Sequence, residues 1–474
     1  MKKLYRRNTR LYWLRIWLLF VSATAARAQT TQTPAIQWQR LFDRPLGSYT
    51  RQAISANGDG YAVIYGYDIM RLSESGNTRW ISQVPIYPYY RTVPTLIAAA
   101  ADGGFGVLAY NDSKWLLARL DASGSTLWMK EFVDRTSSSG NNGNRDFTSL
   151  LFTADGGFLA TAGINYYRAG AYTELYKFDA VGTTTIKTSV SFPGGNNPRP
   201  TSTASRVIQT MDGSYLLVGG ASGPAFYPAG WIAKLDGQLT VIWQKTTDGR
   251  KLDDVIISPY DNSAFIAVGS VTGAETRSLT ISANGDVTNG VTLANRANFT
   301  TSFLVAGSSP TSHTIADVVN ERQGDIRLQT VVGQNLSYLQ KLGGSGTETV
   351  TGVVAGADGG FLIIGTTTST DGDIQGKTNT DAEVWLVKVG PVSNSVYSIK
   401  SGNWNDPAVW SCGCVPAAWH NVTINDAHTV RLDTTMPAAA CLNLEIIGTF
   451  SMQGSSITIN GSSVTLDETN VATN

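Results

Sequence analysis

The stretch Asp358-Gly359-Gly360-Phe361-Leu362-Ile363-Ile364-Gly365 contains the pattern that the chain repeats most clearly. An Asp and two Gly predict a tight turn, and the aromatic residue and apolar run that follow predict a β-strand ending at the last Gly. Close copies of this turn occur at 102–105, 155–158 and 212–215, and weaker ones at 59–61 and 262–265. The repetition predicts an all-β architecture built from copies of one unit.

The aromatic residue after each turn gives the length of that unit. These residues are Tyr61, Phe105, Phe158, Tyr215, Phe265 and Phe361. The first four intervals are 44, 53, 57 and 50 residues, and the last, 96, is close to two units. Residues 303–307 resemble the missing strand in that interval, with Ile326 as the alternative marker, and either choice leaves one degenerate unit there. Periods near 50 residues built from short strands predict a β-propeller, here with seven blades.

Four strands, A to D, can be assigned within a unit, for example 148–153, 158–164, 174–178 and 185–190 in the third. A second short turn joins strands C and D and closes with Gly at 76, 124, 182 and 285. Strand D often carries a Trp, and the last unit has no strand D. Residues 37–41 around Trp38 fit that strand, so Trp38 and Trp385 are predicted to lie in adjacent strands of one blade. Such pairing closes the ring and removes an open sheet edge.

The N-terminus predicts export from the cell. Five basic residues precede an apolar core at 16–23, and Ala26-Arg27-Ala28 is a small-x-small cleavage signal, so residues 1–28 are predicted to be a signal peptide. No later stretch is long and apolar enough to span a membrane. Of 36 basic and 36 acidic residues, the signal holds seven basic and none acidic, so the mature chain has 29 minus 36, or −7. An acidic chain without a basic stripe argues against binding nucleic acid.

The repeat over residues 36–390 resembles the Asp-Gly-Gly-Phe propeller repeat of secreted proteins from Gram-negative bacteria, and this resemblance implies fold and export but no ligand. We therefore predict a propeller at 29–390, a linker at 391–396 and a small β-rich module at 397–474. The tail contains Ser401-Gly402-Asn403-Trp404 and strands spaced seven to twelve residues apart. It resembles a G8-like or solenoid module of similar secreted bacterial proteins, and the strand spacing fits either a β-solenoid or a small sandwich.

Three cysteines lie in the tail, at 412, 414 and 441. Outside the cell a disulfide is the expected state, and three cysteines leave one over. The resemblance implies that Cys412 pairs with Cys441.

No constellation of residues predicts catalysis, a cofactor or a bound metal. The repeated Asp residues are explained by turn formation, in which Asp bonds to nearby backbone. Cys412, Cys414, His420, His428 and Cys441 lack the spacing of a structural zinc site. Asp371, Asp373 and Asp381 lack the spacing of a twelve-residue calcium loop.

The loops at the two ends of the predicted ring differ. Strand direction alternates, so the A–B and C–D turns emerge at one end, and the longer B–C and D–A loops emerge at the other. The long loops are rich in aromatic residues and Arg, which anchor many interfaces. The candidate binding residues are Tyr87, Tyr89, Tyr90, Arg91, Tyr166, Tyr167, Arg168, Tyr172, Phe226 and Tyr227.

The sequence thus predicts a secreted or cell-surface, monomeric, non-enzymatic binding or scaffold protein whose partner is a glycan or a protein. The alternative is an extracellular glycan-cleaving enzyme, a hydrolase or lyase, that uses the propeller channel. A pair of carboxylates near the channel would favour the enzyme. The strand A residues assigned above are apolar or carry hydroxyls, which favours binding.

Overall fold

The computed structural model describes most of the chain from Ile36 onward. The described residues are 36–43, 53–55, 59–84, 92–135, 145–166, 170–191, 201–223, 226–247, 251–258, 263–270, 275–293, 301–306, 312–318, 324–332, 335–357, 360–390, 395–411, 415–416, 420–433, 439–441, 443–453, 456–459 and 464–466. Among them no helix is both long and apolar enough to cross a membrane.

Seven four-stranded antiparallel blades follow one another as far as Val389, and a single parallel bridge between Ala171 and Thr201 joins the third and fourth blades into one sheet. After β1 (Ile36–Asp43), the first blade contains β2 (Ala53–Ser55), β3 (Tyr61–Tyr65), β4 (Asp68–Leu72) and β5 (Thr78–Gln83). The second contains β6 (Val93–Ala99), β7 (Phe105–Tyr110), β8 (Lys114–Leu120) and β9 (Thr126–Asp134). The third contains β10 (Arg145–Phe152), β11 (Phe158–Tyr166), β12 (Gly170–Phe178) and β13 (Thr184–Val190).

The remaining blades follow the same order. The fourth contains β14 (Thr201–Gln209), β15 (Tyr215–Gly223), β16 (Phe226–Leu235) and β17 (Val241–Thr247). The fifth contains β18 (Lys251–Ile257), β19 (Phe265–Ser270), β20 (Thr276–Ile281) and β21 (Val287–Leu293). The sixth contains β22 (Phe303–Ala306), β23 (Ser312–Val318), β24 (Ile326–Val332) and β25 (Asn335–Leu342). The seventh contains β26 (Glu348–Ala355), β27 (Phe361–Thr367) and β28 (Glu383–Val389), completed by β1.

The first strands of the blades form the inner wall of a closed ring. Each contacts the first strand of the next blade, in the order β2, β6, β10, β14, β18, β22 and β26, and β26 contacts β2 again. Strand A therefore faces the channel and strand D lies outermost. The prediction of a seven-bladed β-propeller is confirmed.

The N-terminal strand closes the ring as predicted. β1 pairs antiparallel with β28, and Leu41 lies opposite Trp385. The Trp38 indole N–H donates to the Glu74 carbonyl of the first blade over 2.7 Å, so this strand also ties the seventh blade to the first. A chain segment nearly 350 positions from its partner strand thus joins the two ends of the ring.

The degenerate sixth blade is present, but its strands differ from the predicted assignment. Residues 303–306 form strand A, not strand B, and Ile326 begins strand C. Strand B is β23, which is buried although it contains Ser312, His313 and Asp317. Asp317 pairs with Arg327 through two hydrogen bonds of 2.9 and 2.8 Å. The sequence analysis did not assign this strand, because its polar residues interrupt the apolar pattern of the other B strands.

A Trp of strand D packs against the C–D turn of the next blade. A Cβ atom added to Gly76 would lie 2.7 Å from the Trp38 ring, and a Cβ atom added to Gly124 would lie 2.8 Å from the Trp80 ring. Gly182 has the same relation to Trp128 in the preceding blade, and Gly285 to Trp243. These glycines have φ between 77° and 84°, so each turn requires Gly for its backbone conformation and for the space that the indole fills.

The contact between the third and fourth blades is built differently. Leu239, with φ 62°, occupies the turn position that Gly has elsewhere. Ile186 lies opposite Lys177, the register position that Trp128 has opposite Arg119. Leu239 is buried in an apolar cluster against which Ile186 packs. A larger turn residue thus accompanies a smaller strand residue.

The C-terminal residues form a parallel β-solenoid, which decides between the two predicted arrangements. Its strands are β29 (Ser395–Tyr397), β30 (Gly402–Asn403), β31 (Asn421–Ile424), β32 (Thr429–Asp433), β33 (Ala439–Cys441), β34 (Asn443–Ile446), β35 (Thr449–Gln453), β36 (Ile457–Ile459) and β37 (Val464–Leu466), and a 3-10 helix spans Pro407–Val409. The sheet orders are β29-β31-β34-β37, β30-β32-β35 and β33-β36, and every pair is parallel. Trp404 and Trp410 are fully buried and cross edge to face at 5.0 Å. The domain boundaries themselves stay predictions.

The disulfide between Cys412 and Cys441 also stays a prediction, because Cys412 and Cys414 lie outside the described residues. Cys441 is buried as a free thiol, and burial raises its pKa to about 11. We expect the oxidised protein to link Cys412 to Cys441, which would stabilise the module by about 3 kcal/mol through closure of a loop of about 30 residues. Non-reducing peptide mapping tests the pairing, and a Cys414–Cys441 peptide or an alkylated Cys441 would contradict it.

Candidate functional site

The two ends of the ring carry different connections, but the prediction that the B–C connections are long is wrong for the first four blades, where only two or three residues join strands B and C. A–B and C–D turns such as 153–157 and 179–183 close through backbone hydrogen bonds of 2.9–3.0 Å. B–C and D–A connections emerge at the other end, which we call the loop face. The loop face includes residues 111–113 and the strand ends at Asp134 and Arg145.

Most of the predicted binding residues lie outside the described part of the chain. The residues outside the described ranges include Tyr87, Tyr89, Tyr90, Arg91, Tyr167 and Arg168. Tyr166 ends β11, and Phe226 and Tyr227 begin β16, so their backbones reach the loop-face ends of these strands. Tyr172 is half-buried in β12 at the same end. The hairpins of the third and fourth blades are therefore longer than predicted, and the binding role of these residues stays a prediction.

The repeated Asp residues lie on the tight-turn face and have a structural role. Asp102 accepts the Gly104 N–H at 3.0 Å, and Asp212 accepts that of Ser214 at 3.0 Å. Each also binds a basic residue of strand C: Asp102 binds Arg119 at 2.5 and 2.6 Å, and Asp212 binds Lys234 at 2.7 Å. The interpretation of these residues as turn formers is confirmed, and the ion pair to strand C is an addition that the sequence analysis missed.

A cleft of about 350 Å³ opens between the second and third blades on the loop face. It is lined by Lys114, Glu131, Phe132, Val133, Asp134, Arg145 and Lys187. Lys114 begins strand C of the second blade, Asp134 ends strand D, and Arg145 begins strand A of the third. The cleft thus lies where strand ends from two blades meet, and we take it as the candidate binding site.

A β-bulge shapes one wall of this cleft. The register of β8 and β9 shifts between Trp115 and Leu116, which lie opposite Val133 and Glu131, so Phe132 is the extra residue. Among the described C–D pairs only this one has a bulge at its loop-face end. A bulge redirects side chains, and here Phe132 packs against Phe178 at 4.9 Å and Tyr176 at 5.3 Å.

A buried ion pair forms the floor of the cleft. Arg145 Nε donates to Glu174 Oε2 over 2.8 Å, and both side chains are 8% exposed. The Tyr176 hydroxyl donates to the same carboxylate, and burial together with this contact raises the pKa of Tyr176. Arg145 Nη1 also donates to the Asp134 carbonyl over 2.9 Å. Separation of this pair would leave two unpaired buried charges, which is costly. The contacts therefore hold the guanidinium in place.

The rim of the cleft carries both signs of charge. Lys114 Nζ lies 2.6 Å from Asp134 Oδ1, and this contact holds the pKa of Asp134 below its usual value. Lys187 Nζ lies 5.3 Å from the centre of the Tyr176 ring. Within the described residues, neither Lys187 nor Glu131 forms an ion pair. The hydrogen bond to Asp134 raises the pKa of Lys114, and the charge of Glu131 adds to this rise without an ion-pair contact. Among the described residues of the rim, Lys187 is thus the cation without an ion pair.

The channel wall contains carboxylates that the sequence analysis did not assign. Asp253 and Asp254 are buried on strand A of the fifth blade. Asp253 accepts the Ser302 N–H at 3.2 Å and Asp254 that of Leu304 at 3.0 Å, so both bind backbone of the sixth blade. Burial raises the pKa of Asp254. Glu348, on strand A of the seventh blade, is completely buried.

Some residues considered as metal ligands have other partners. Asp371 accepts the Ser345 N–H at 2.6 Å and Asp373 that of Gly343 at 3.0 Å, so they tie two loops of the loop face together. In the solenoid, His428 Nδ1 lies 2.9 Å from the Ser398 hydroxyl. Throughout the described ranges, no three His, Cys, Asp or Glu side chains are grouped to hold a metal ion.

The sequence analysis missed the cleft because its charged residues come from four strands of two blades. One signal was present: Arg145 and Glu174 place charges on strands A and C of a blade whose other buried positions are uncharged. Two opposite charges at such positions suggest a buried pair, since an isolated buried charge is costly.

Comparison with known proteins assigns no family. No family model matches the chain, and no curated protein matches it. Similar solved structures include the mitotic checkpoint complex, with 13% identity, a TM-score of 0.48, and coverage of 81% of this chain and 100% of that one. The Cps50 (Swd1) β-propeller domain of Myceliophteria thermophila has 8% identity, a TM-score of 0.45, and coverage of 74% and 99%. A protein of unknown function from Bacteroides caccae has 12% identity, a TM-score of 0.34, and coverage of 62% and 94%. These similarities assign neither a partner nor an activity to this chain.

Proposed function

We propose that the protein is an exported, non-enzymatic binding or scaffold protein, monomeric in solution, that presents its loop face to a glycan or protein at the cell surface. The observation that carries this proposal is the charged cleft between the second and third blades. Its floor is a fixed ion pair, and its rim holds Glu131 and Lys187, polar groups of the kind that orient a ligand in a binding site. The propeller beneath it supplies rigid strands, and the aromatic loops predicted around the same face would add contact area.

Binding should depend on the aromatic residues of the loop face. We expect Ala at Tyr89, Tyr90, Tyr167 and Tyr227 together to abolish binding of the ligand found on a glycan array, because Tyr anchors contribute large contact areas at low entropy cost. The melting temperature should stay nearly unchanged.

The control changes lie on the tight-turn face. Ser75→Ala and Ser123→Ala replace exposed residues of C–D turns and should leave binding unchanged. If these two variants weaken binding and the tyrosine variant does not, the binding face has been assigned to the wrong end of the ring.

One observation favours the alternative, a glycan-cleaving enzyme. Asp253 and Asp254 lie side by side on the channel wall, and burial raises the pKa of Asp254, as a general acid needs. Against catalysis, both carboxylates already accept backbone N–H groups. Reducing-end release from polysaccharides that is lost in Asp254→Asn at unchanged folding would establish the enzyme and overturn the proposal.

A further inference from the structure

We propose that the cleft between the second and third blades binds a saccharide that carries a carboxylate, such as a uronic acid unit. This inference rests on the proposed function, because it names the ligand class for the same cleft.

The lining of the cleft fits a hydrophilic ligand. Five of its seven residues are charged: Lys114, Glu131, Asp134, Arg145 and Lys187. Pockets for apolar ligands are lined mostly by hydrophobic side chains and have few polar groups. A ligand that enters this cleft must replace the water around several charges, so it must itself carry many hydrogen-bonding groups. Saccharides meet this requirement, because each hydroxyl can both donate and accept.

The charges that are free of ion pairs indicate one carboxylate on the ligand. Asp134 forms an ion pair with Lys114, and Arg145 forms one with Glu174. Lys187 remains as a cation, held over the Tyr176 ring, and Tyr176 is in turn fixed by Glu174. A ligand carboxylate on Lys187 would form a charge-assisted hydrogen bond. Glu131 is acceptor-only when ionised and would take hydroxyl donors.

The two groups lie on different blades. Glu131 lies on strand D of the second blade, and Lys187 lies on strand D of the third. A sugar ring with a carboxylate at one side and hydroxyls at the other can contact both walls of the cleft.

The test is isothermal titration calorimetry on the exported full chain with two matched probes, trigalacturonate and its fully methyl-esterified form. We expect the acid to bind about tenfold more tightly than the ester, as a hydrogen bond to a charged group contributes. Lys187→Gln should reduce the affinity for the acid to that for the ester. Lys130 donates a hydrogen bond to Thr183 in a C–D turn away from the cleft. Lys130→Gln should therefore bind the acid as the parent does. Higher salt should weaken the binding of the acid and leave the binding of the ester unchanged.

Each outcome decides one level of the proposal. If the ester binds as tightly as the acid, or Lys187→Gln changes nothing, the carboxylate inference fails and glycan binding by the loop face stands. If neither probe binds while a neutral glycan of the array does, the carboxylate inference fails and the proposed function stands. If a peptide competes at the cleft and no saccharide binds, the ligand class is wrong. If no glycan or protein ligand depends on the loop face, the proposed function itself fails.

Discussion

Deletion of residues 36–43 should abolish cooperative unfolding of the propeller. β1 contributes four apolar side chains to two cores: Ile36 and Leu41 pack between the sixth and seventh blades, and Trp38 and Phe42 pack between the seventh and first. Burial of four half-exposed side chains stabilises by roughly 4–6 kcal/mol, which is comparable with the whole free energy of unfolding of a domain. The deletion also leaves β28 as an open edge beside buried Trp385, and such edges promote aggregation.

Differential scanning calorimetry and size-exclusion chromatography measure this effect. The deleted chain should lose its sharp transition and elute as aggregates. Two point variants in the same strand provide graded controls. Trp38→Ala removes an indole that contacts Gly76 and bonds to Glu74, and should cost about 2–3 kcal/mol. Arg40→Ala removes one exposed hydrogen bond to Thr78 and should cost less than about 0.5 kcal/mol. A deletion that melts like the parent would show that β1 does not hold the ring closed.

The sequence predicted the ring because the blades repeat local turn chemistry. An Asp-Gly-Gly turn and a Gly-closed C–D turn specify hairpins within a few residues, so counting them counts blades. The missing strand D of the last blade then identified 37–41 as its substitute. The sixth blade escaped this method, since no Asp-Gly turn precedes its strand B and no aromatic residue begins that strand, whose buried Asp317 pairs with Arg327 on the neighbouring strand.

The cleft could not be predicted in the same way. Its floor depends on Arg145 and Glu174, which are 29 positions apart and meet only when strands A and C pair with the two edges of strand B. Its wall depends on the bulge at Phe132, for which the local sequence gives no Gly or Pro signal. The aromatic binding residues were proposed from composition alone, and their role stays a prediction. Sequence patterns thus predicted a binding face but not the residues that form its cleft.

Gly124→Ala should destabilise the ring by about 2–5 kcal/mol. The φ of Gly124 is 84°, and L-residues adopt the left-handed region at a cost of about 1–2 kcal/mol. The new methyl group would also lie 2.8 Å from the Trp80 ring, and overpacking of this kind costs about 1–3 kcal/mol more. Chemical denaturation followed by Trp fluorescence measures the loss.

Gly103→Ala is the matched control in the same blade. Gly103 has φ 85°, nearly that of Gly124, but the nearest atom to its added Cβ is that of Ala122 at 3.6 Å. Only the conformational cost, about 1–2 kcal/mol, should therefore appear. The difference between the two variants isolates the contact between turn and indole. Equal losses would mean that the indole moves aside freely and does not join the blades.

The contact between the third and fourth blades suggests how Gly124→Leu can be rescued. There Leu239 occupies the turn at φ 62°, and Ile186 occupies the strand position of the Trp. Trp80→Ile alone should leave a cavity and cost about 2–4 kcal/mol, and Gly124→Leu alone should clash with the indole. Combined, the leucine side chain fills the space that the indole vacates, so the double variant should be at least 1 kcal/mol more stable than the sum of the two single changes predicts, as for residues in direct contact. Additive losses in this double-mutant cycle would show that the Leu239 and Ile186 arrangement depends on features of the third and fourth blades beyond the pair itself.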